Sequence, residues 1–221
     1  MKIFTTDQIR EWDRYTIENE PVSSIELMNR AARAFTRWFI GHYTDTNRPV
    51  VVVAGTGNNG GDGLAVARYL HQHFYGAKVL VYNFGEKKST DFEAQLLSMP
   101  PYDAVGLSWY DQTAQFPPID TNAVLIDALF GSGLNRPLLG QWAEVVDWIN
   151  NLPNEVVSID MPSGLFADQS SEGNKVVQAE RTFSFETPKR AFFFPENADR
   201  VGEWAVGSIG LHPDLDRKSV V

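Results

Sequence analysis

Val50-Val51-Val52-Val53-Ala54-Gly55-Thr56-Gly57-Asn58-Asn59-Gly60-Gly61-Asp62-Gly63 is the stretch on which the fold turns. Its first five residues are a continuous apolar run. Such a run suits a strand buried on both faces, as in a parallel sheet. Residues 55–63 read as a glycine-rich turn. Residues 64–74 read as a helix with Leu64, Ala67 and Leu70 on one face, and residues 77–82 as the next strand. Strand, loop, helix, strand is a βαβ unit.

Outward from that unit the alternation continues. Helices are expected over 89–99 and 141–151. Strands are expected near Trp109, over 123–126 ending at Asp127, over 156–159 ending at Asp160, and over 182–185, 191–194 and 204–209. Upstream, Thr5-x-x-Gln8 and Ser23-x-x-Glu26 have capping-box spacing. Ile9, Trp12 and Thr16 follow the first; Met28, Ala31, Ala32, Phe35 and Phe39 follow the second at helical spacing. The pattern predicts α/β class, a three-layer αβα sandwich with a Rossmann-like, mostly parallel sheet. Residues 1–221 read as one domain.

Composition narrows the function. The chain of 221 residues has 28 acidic and 19 basic side chains, a formal charge of −9, and no cysteine. A thiolate zinc site and a cysteine nucleophile are therefore excluded. So is nucleic-acid binding through a broadly basic surface. No apolar run has the length of a membrane span, and the start lacks a secretory h-region, so no membrane is expected and cytoplasm is the default. His71 and His73 read as solvated helix residues and not as metal ligands.

Three predicted strands end in loops rich in Gly, Asn, Asp and Ser: 55–63, 127–137 and 160–164. Ligands of doubly wound sheets bind at such strand ends. Gly55-x-Gly57-x-x-Gly60 matches the dinucleotide fingerprint and is placed to offer a helix N-terminus to a phosphate. A dehydrogenase would also need an acid at the next strand's end, where Val81-Tyr82-Asn83 stands. A bland alternative makes the loop a tight turn with left-handed asparagines. Gly131-Ser132-Gly133 with Arg136 suits a second anion-binding turn. Ser163 is not a nucleophile elbow, because Met161 and Leu165 replace the required glycines. Asn59, Asp127 and Ser163 give one oxygen donor per loop, a set suited to a weakly held monovalent cation.

VVVAGTGNNGGDGLAVARYL, VLIDALFGSGLNRPL and VVSIDMPSGL together resemble the NAD(P)H-hydrate epimerase family, the YjeF N-terminal domain. IELMNRAA and TFSFETPK resemble its flanking segments, with Ala32 where the family usually has glycine. The resemblance spans about Thr5 to Leu211. It implies a metabolite-repair isomerase that interconverts the R and S epimers of hydrated NADH and NADPH. Asn58, Asn59, Gly60, Gly61, Asp62, Gly131, Ser132, Gly133, Leu134, Asn135, Arg136, Pro137 and Asp160 would contact the nucleotide. Asn59, Asp127 and Ser163 would hold a potassium ion, one per subunit. The family is usually a homodimer, and it is often linked to an ADP- or ATP-dependent dehydratase domain, which this chain is expected to lack. Asp160 is the first choice for proton transfer, with Lys189 as its partner. The rivals are a dehydrogenase and a non-enzymatic binding module.

Overall fold

A computed structural model describes residues 2–111 and 116–214. Helices α1 (Thr6–Asn19) and α2 (Ser24–His42) come first, capped by Thr5 and Ser23 as their spacing predicts. Then follow β1 (Val50–Ala54), α3 (Asn58–Gln72), β2 (Ala77–Asn83), α4 (Thr90–Leu97), α5 (Tyr102–Val105), β3 (Leu107–Asp111), β4 (Val124–Ala128), α6 (Gln141–Asn151), β5 (Glu155–Ile159), β6 (Arg181–Phe185), α7 (Ala198–Val201) and β7 (Glu203–Gly207).

The seven strands form one sheet in the order β3-β2-β1-β4-β5-β6-β7, with every neighbouring pair parallel. The expectation of a mostly parallel sheet becomes a wholly parallel one. The order reverses between β1 and β4, so a crevice opens there at the strands' carboxyl ends.

β1 shows why the sandwich has three layers. Val50, Val52 and Ala54 pack in a core with Phe35, Phe39, Leu64 and Phe92, from α2, α3 and α4. Val51 and Val53 point the other way, into a core with Val145, Val146 and Ile149 of α6. Both faces are dry, so alternation vanishes from the strand. A separate small cluster of Phe4, Trp12, Leu27 and Leu211 fastens α1 to the body.

Two expectations need correction. The helix predicted over 64–74 begins at Asn58. Its glycines pack tightly instead of looping out: a Cβ on Gly60 would lie 1.9 Å from the Gly55 carbonyl oxygen. The strand predicted over 191–194 is a 3-10 turn, Arg190–Phe193. Pro188 and Pro195 bracket it, removing two backbone donors a strand would use. His71 and His73 are exposed, as the bland reading has it.

Candidate active site

A cavity of about 530 Å³ lies at the crevice, a volume typical of small-molecule sites. Four parts of the chain supply most of its polar lining, and Ser24, Met28 and Ala31 of α2 add to its wall.

The first is the start of α3. Gly57 caps the helix without a side-chain hydrogen bond, which leaves first-turn N–H groups for an anion. Gly57, Asn58, Asn59 and Asp62 face the cavity. Gly60 and Gly61 do not. They were expected to contact a nucleotide, but Gly60 packs on the Gly55 carbonyl and Gly61 on the Met28 sulfur. Their lack of a side chain permits close packing behind the site. The asparagines are helical, so the left-handed alternative fails; among the described residues the non-glycine ones with positive φ are Phe74, Asp160 and Glu186.

The second wall is the loop after β4. Gly131, Ser132, Gly133, Leu134, Asn135 and Arg136 line the cavity, while Pro137 faces a smaller adjoining one. Gly55 N–H donates to the Ala128 carbonyl at 3.1 Å, tying the first two loops together. A Cβ on Gly131 would lie 3.1 Å from Asn59 Oδ1, so glycine lets that amide approach.

The third wall is formed by the ends of β5 and β6, which share one device. Met161 N–H donates to the Ile159 carbonyl, and Thr187 N–H to the Phe185 carbonyl. Each closes a three-residue γ-turn about an acidic residue of positive φ, Asp160 at 68° and Glu186 at 58°. Such conformations cost energy and cluster at functional sites. Both residues line the cavity. Asp160 Oδ1 is 2.6 Å from Lys189 Nζ, and Lys189 is only 2% exposed. The ammonium also donates to Ser184 Oγ at 3.0 Å and the Phe185 carbonyl at 3.3 Å. Asp160 and Lys189, distant in sequence, are thus one buried ion pair.

The fourth wall, α1, carried a capping box and an apolar stripe but no motif that pointed to a site. Arg10 and Asp13 line the cavity from it. Burial pushes the Asp13 carboxyl up to about 6; the Asp160 charge adds to the rise, Lys189 opposes it, and Glu186 adds a little. Asp62 is also pushed up, first by burial and then by Asp160, Asp13 and Asp91. Asp91, on α4, lines the same cavity and was missed as well.

Beneath the loops, Asp127 is 1% exposed. Both its oxygens accept: from Ser163 Oγ at 2.6 Å, Ser163 N–H at 2.8 Å and Ser158 Oγ at 2.9 Å. Burial pushes its pKa up, and these hydrogen bonds pull it down. Among the described residues no ion pair is made to it. Ser163 Oγ also accepts from Phe130 N–H at 2.9 Å. Asp127 and Ser163 therefore meet directly, and Asn59 reaches the neighbouring Gly131 loop. Among the described residues no three His, Asp or Glu side chains are grouped to hold a metal.

A doubly wound parallel sheet with its cavity at the switch point, walled by a helix N-terminus and a glycine-rich loop, defines a Rossmann-like nucleotide-site protein. Within that class the chain belongs to the family described as YjeF-related protein N-terminus, whose model matches residues 24–191. It is 35% identical over 185 residues to an NAD(P)H-hydrate epimerase of Limosilactobacillus reuteri, covering 83% of this chain and 84% of that one. It is 35% identical over 208 residues to the Oenococcus oeni NAD(P)H-hydrate epimerase, covering 94% and 96%. A bifunctional NAD(P)H-hydrate repair enzyme of Dictyoglomus turgidum is 28% identical; there the match covers 96% of this chain and 41% of the relative. The crystal structure of yeast ynu0 superposes with a TM-score of 0.77 at 21% identity, covering 100% of this chain and 94% of that one, which shows a shared fold.

Proposed function

We propose that this chain is an NAD(P)H-hydrate epimerase, an isomerase acting on hydrated NADH and NADPH. The observation that carries the reading is the buried Asp160–Lys189 pair beside a free helix N-terminus in one cavity. The names of the relatives support it.

The roles follow from chemistry. The N–H groups at the start of α3 suit the diphosphate, since a helix N-terminus favours anions. Arg10 and Arg136 add positive charge to the same cavity. The reacting carbon bears a ring nitrogen and a hydroxyl. The nitrogen lone pair expels the hydroxyl once that oxygen is protonated, and water returns to either face. Asp160 would carry this proton traffic, with Lys189 holding its carboxylate at 2.6 Å. Proton transfer of this kind contributes about 10²–10⁴-fold.

The cation expected beneath the loops fits the residues present. Asp127 is a buried carboxylate with only neutral donors, and Asn59 and Ser163 add neutral oxygens. Potassium held by Asn59, Asp127 and Ser163 would supply positive charge under the phosphate loops. The resemblance adds a homodimer, and the bifunctional D. turgidum relative supports a link to a second repair activity.

The test starts from pure R epimer. The R/S ratio is followed with and without potassium, against a protein-free control. The protein speeds the approach to equilibrium. Asp160→Asn slows it by at least about 10²-fold while NADPH still binds. Wild-type protein that tracks the control sinks the reading; full activity in Asp160→Asn removes that residue's role.

A further inference from the structure

Most of the cavity's acidic side chains lie in the segment that the family model matches. Asp13 does not: it is on α1, ahead of residue 24. Ile9, Asp13 and Ile17 recur at four-residue intervals, share a helix face and line the cavity. Trp12 and Thr16 on the neighbouring face are buried in the body. Trp12 Nε1 donates to the His212 carbonyl at 2.8 Å, and Thr6 N–H to Asp168 Oδ2 at 2.8 Å, so the helix is fixed at its start and its middle. A carboxyl group is thereby held between two isoleucines over the cavity. Half-burying one there costs free energy unless it is paired. Among the described residues Asp13 has no hydrogen-bond or ion-pair partner.

We propose that Asp13 is a second proton-transfer residue of the epimerisation, giving a proton to the departing hydroxyl on one face while Asp160 accepts the surplus proton of the water returning to the other. The proposal rests on the epimerase reading. The charges around Asp13 favour it. Asp160, Lys189 and Glu186 act on it from the ends of β5 and β6. Asp91 of α4 adds further negative charge to the cavity, burial pushes the Asp62 carboxyl of α3 towards its neutral form, and Arg10, on the same helix turn as Asp13, and Arg136 add positive charge. The carboxyl is pushed up to about 6, chiefly by burial, so a useful fraction carries a proton near neutral pH. Asp160, by contrast, already faces an ammonium at 2.6 Å.

The step balances. The carbon–oxygen bond breaks with its electron pair going to oxygen, which takes the Asp13 proton and leaves as water. The ring nitrogen lone pair forms a carbon–nitrogen double bond, and the positive charge on the ring is opposed by the nearby carboxylates. Water then adds to the carbon from the other face. The π pair returns to nitrogen, and the water's surplus proton passes to the Asp160 carboxylate; the reverse reaction, or exchange with solvent, restores the proton to Asp13. Nothing is oxidised or reduced.

The experiment measures R/S interconversion by wild type, Asp13→Asn and Asp13→Glu from pH 5 to 9, with NADPH binding and near-ultraviolet circular dichroism as controls. In wild type, kcat declines above an apparent pKa near 6. Asp13→Asn lowers kcat about 10²-fold with KM changed less than about threefold, and it lacks that limb. Asp13→Glu keeps the limb and more activity than Asp13→Asn. The proposal is overturned if Asp13→Asn stays folded and keeps kcat within about threefold of wild type at pH 6–7, or if its pH limb is unchanged. If Asp13→Asn does not fold, Asp13→Glu decides by the presence or absence of the limb. Wild-type protein without epimerase activity overturns the functional reading itself, a different result from an active wild type matched by Asp13→Asn.

Discussion

At the scale of single residues, the site trades stability for chemistry, and Asp13 shows the sign. Its folded-state pKa of about 6 lies above the ordinary 3.8. The folded protein therefore holds the proton more tightly than the unfolded chain. That contribution is fully present below about pH 3.8 and is lost as pH rises towards 6. Above pH 6 the charged carboxylate is a net cost of about 3 kcal/mol, from roughly two pKa units. Asp13→Asn is expected to raise unfolding free energy at pH 8 by up to that amount and to change it little at pH 4. Urea titrations at both values check this; equal stability of the two proteins at pH 8 would remove burial as the cause. Asp160 was legible in the sequence because it closes an apolar run, where ligands of this architecture bind. Lys189 was legible only through resemblance. Asp13 was not, because it stands between Trp12 and Arg14 in a helix whose apolar spacing does not say which flank meets a cavity. Only the docking of α1 decides that.

At the scale of elements, α3 carries the most information per residue. A dense glycine run read as a turn because glycine is the poorest ordinary helix former after proline. Tertiary contact overrides that propensity: β1, the Gly55 carbonyl and Met28 come so close that side chains would not fit. Gly60 and Gly57 separate the two explanations. Gly60→Ala places a methyl 1.9 Å from a backbone oxygen, whereas a Cβ on Gly57 meets nothing within 4 Å. Gly60→Ala should cost about 2–4 kcal/mol, since the clash is with backbone and must shift the helix start. Gly57→Ala should cost under about 1 kcal/mol. Thermal unfolding of the pair checks it; similar midpoints would mean that the glycines serve flexibility and not close packing. The run 191–194 failed for a related reason. Three phenylalanines favour a strand by composition, but the prolines on either side deny it a ladder, and β7 takes the next place in the sheet.

At the scale of the molecule, the alternation of apolar runs and amphipathic helices made the layers legible, since a strand dry on both faces demands helices above and below. What the sequence could not show is that loops from residues 55, 127 and 160 share one crevice; that follows from β1, β4 and β5 standing side by side. Their closeness also creates an electrostatic problem. In a chain of net charge −9, Asp127 is buried with no ion-pair partner among the described residues, in a loop whose other residues line a cavity meant for an anionic nucleotide. A bound cation would relieve it, and linkage gives the consequence. An ion that binds only the folded state adds stability as RT ln(1 + [ion]/Kd), about 2.7 kcal/mol at a hundredfold excess over Kd. Unfolding midpoints should therefore be higher in potassium chloride than in lithium chloride at equal ionic strength, where general screening is the same. Asp127→Asn should abolish the difference, because the neutral amide leaves the oxygen set without its one charge. If wild type unfolds at the same temperature in both salts, the buried carboxylate is balanced by its serine hydroxyls and backbone N–H groups alone.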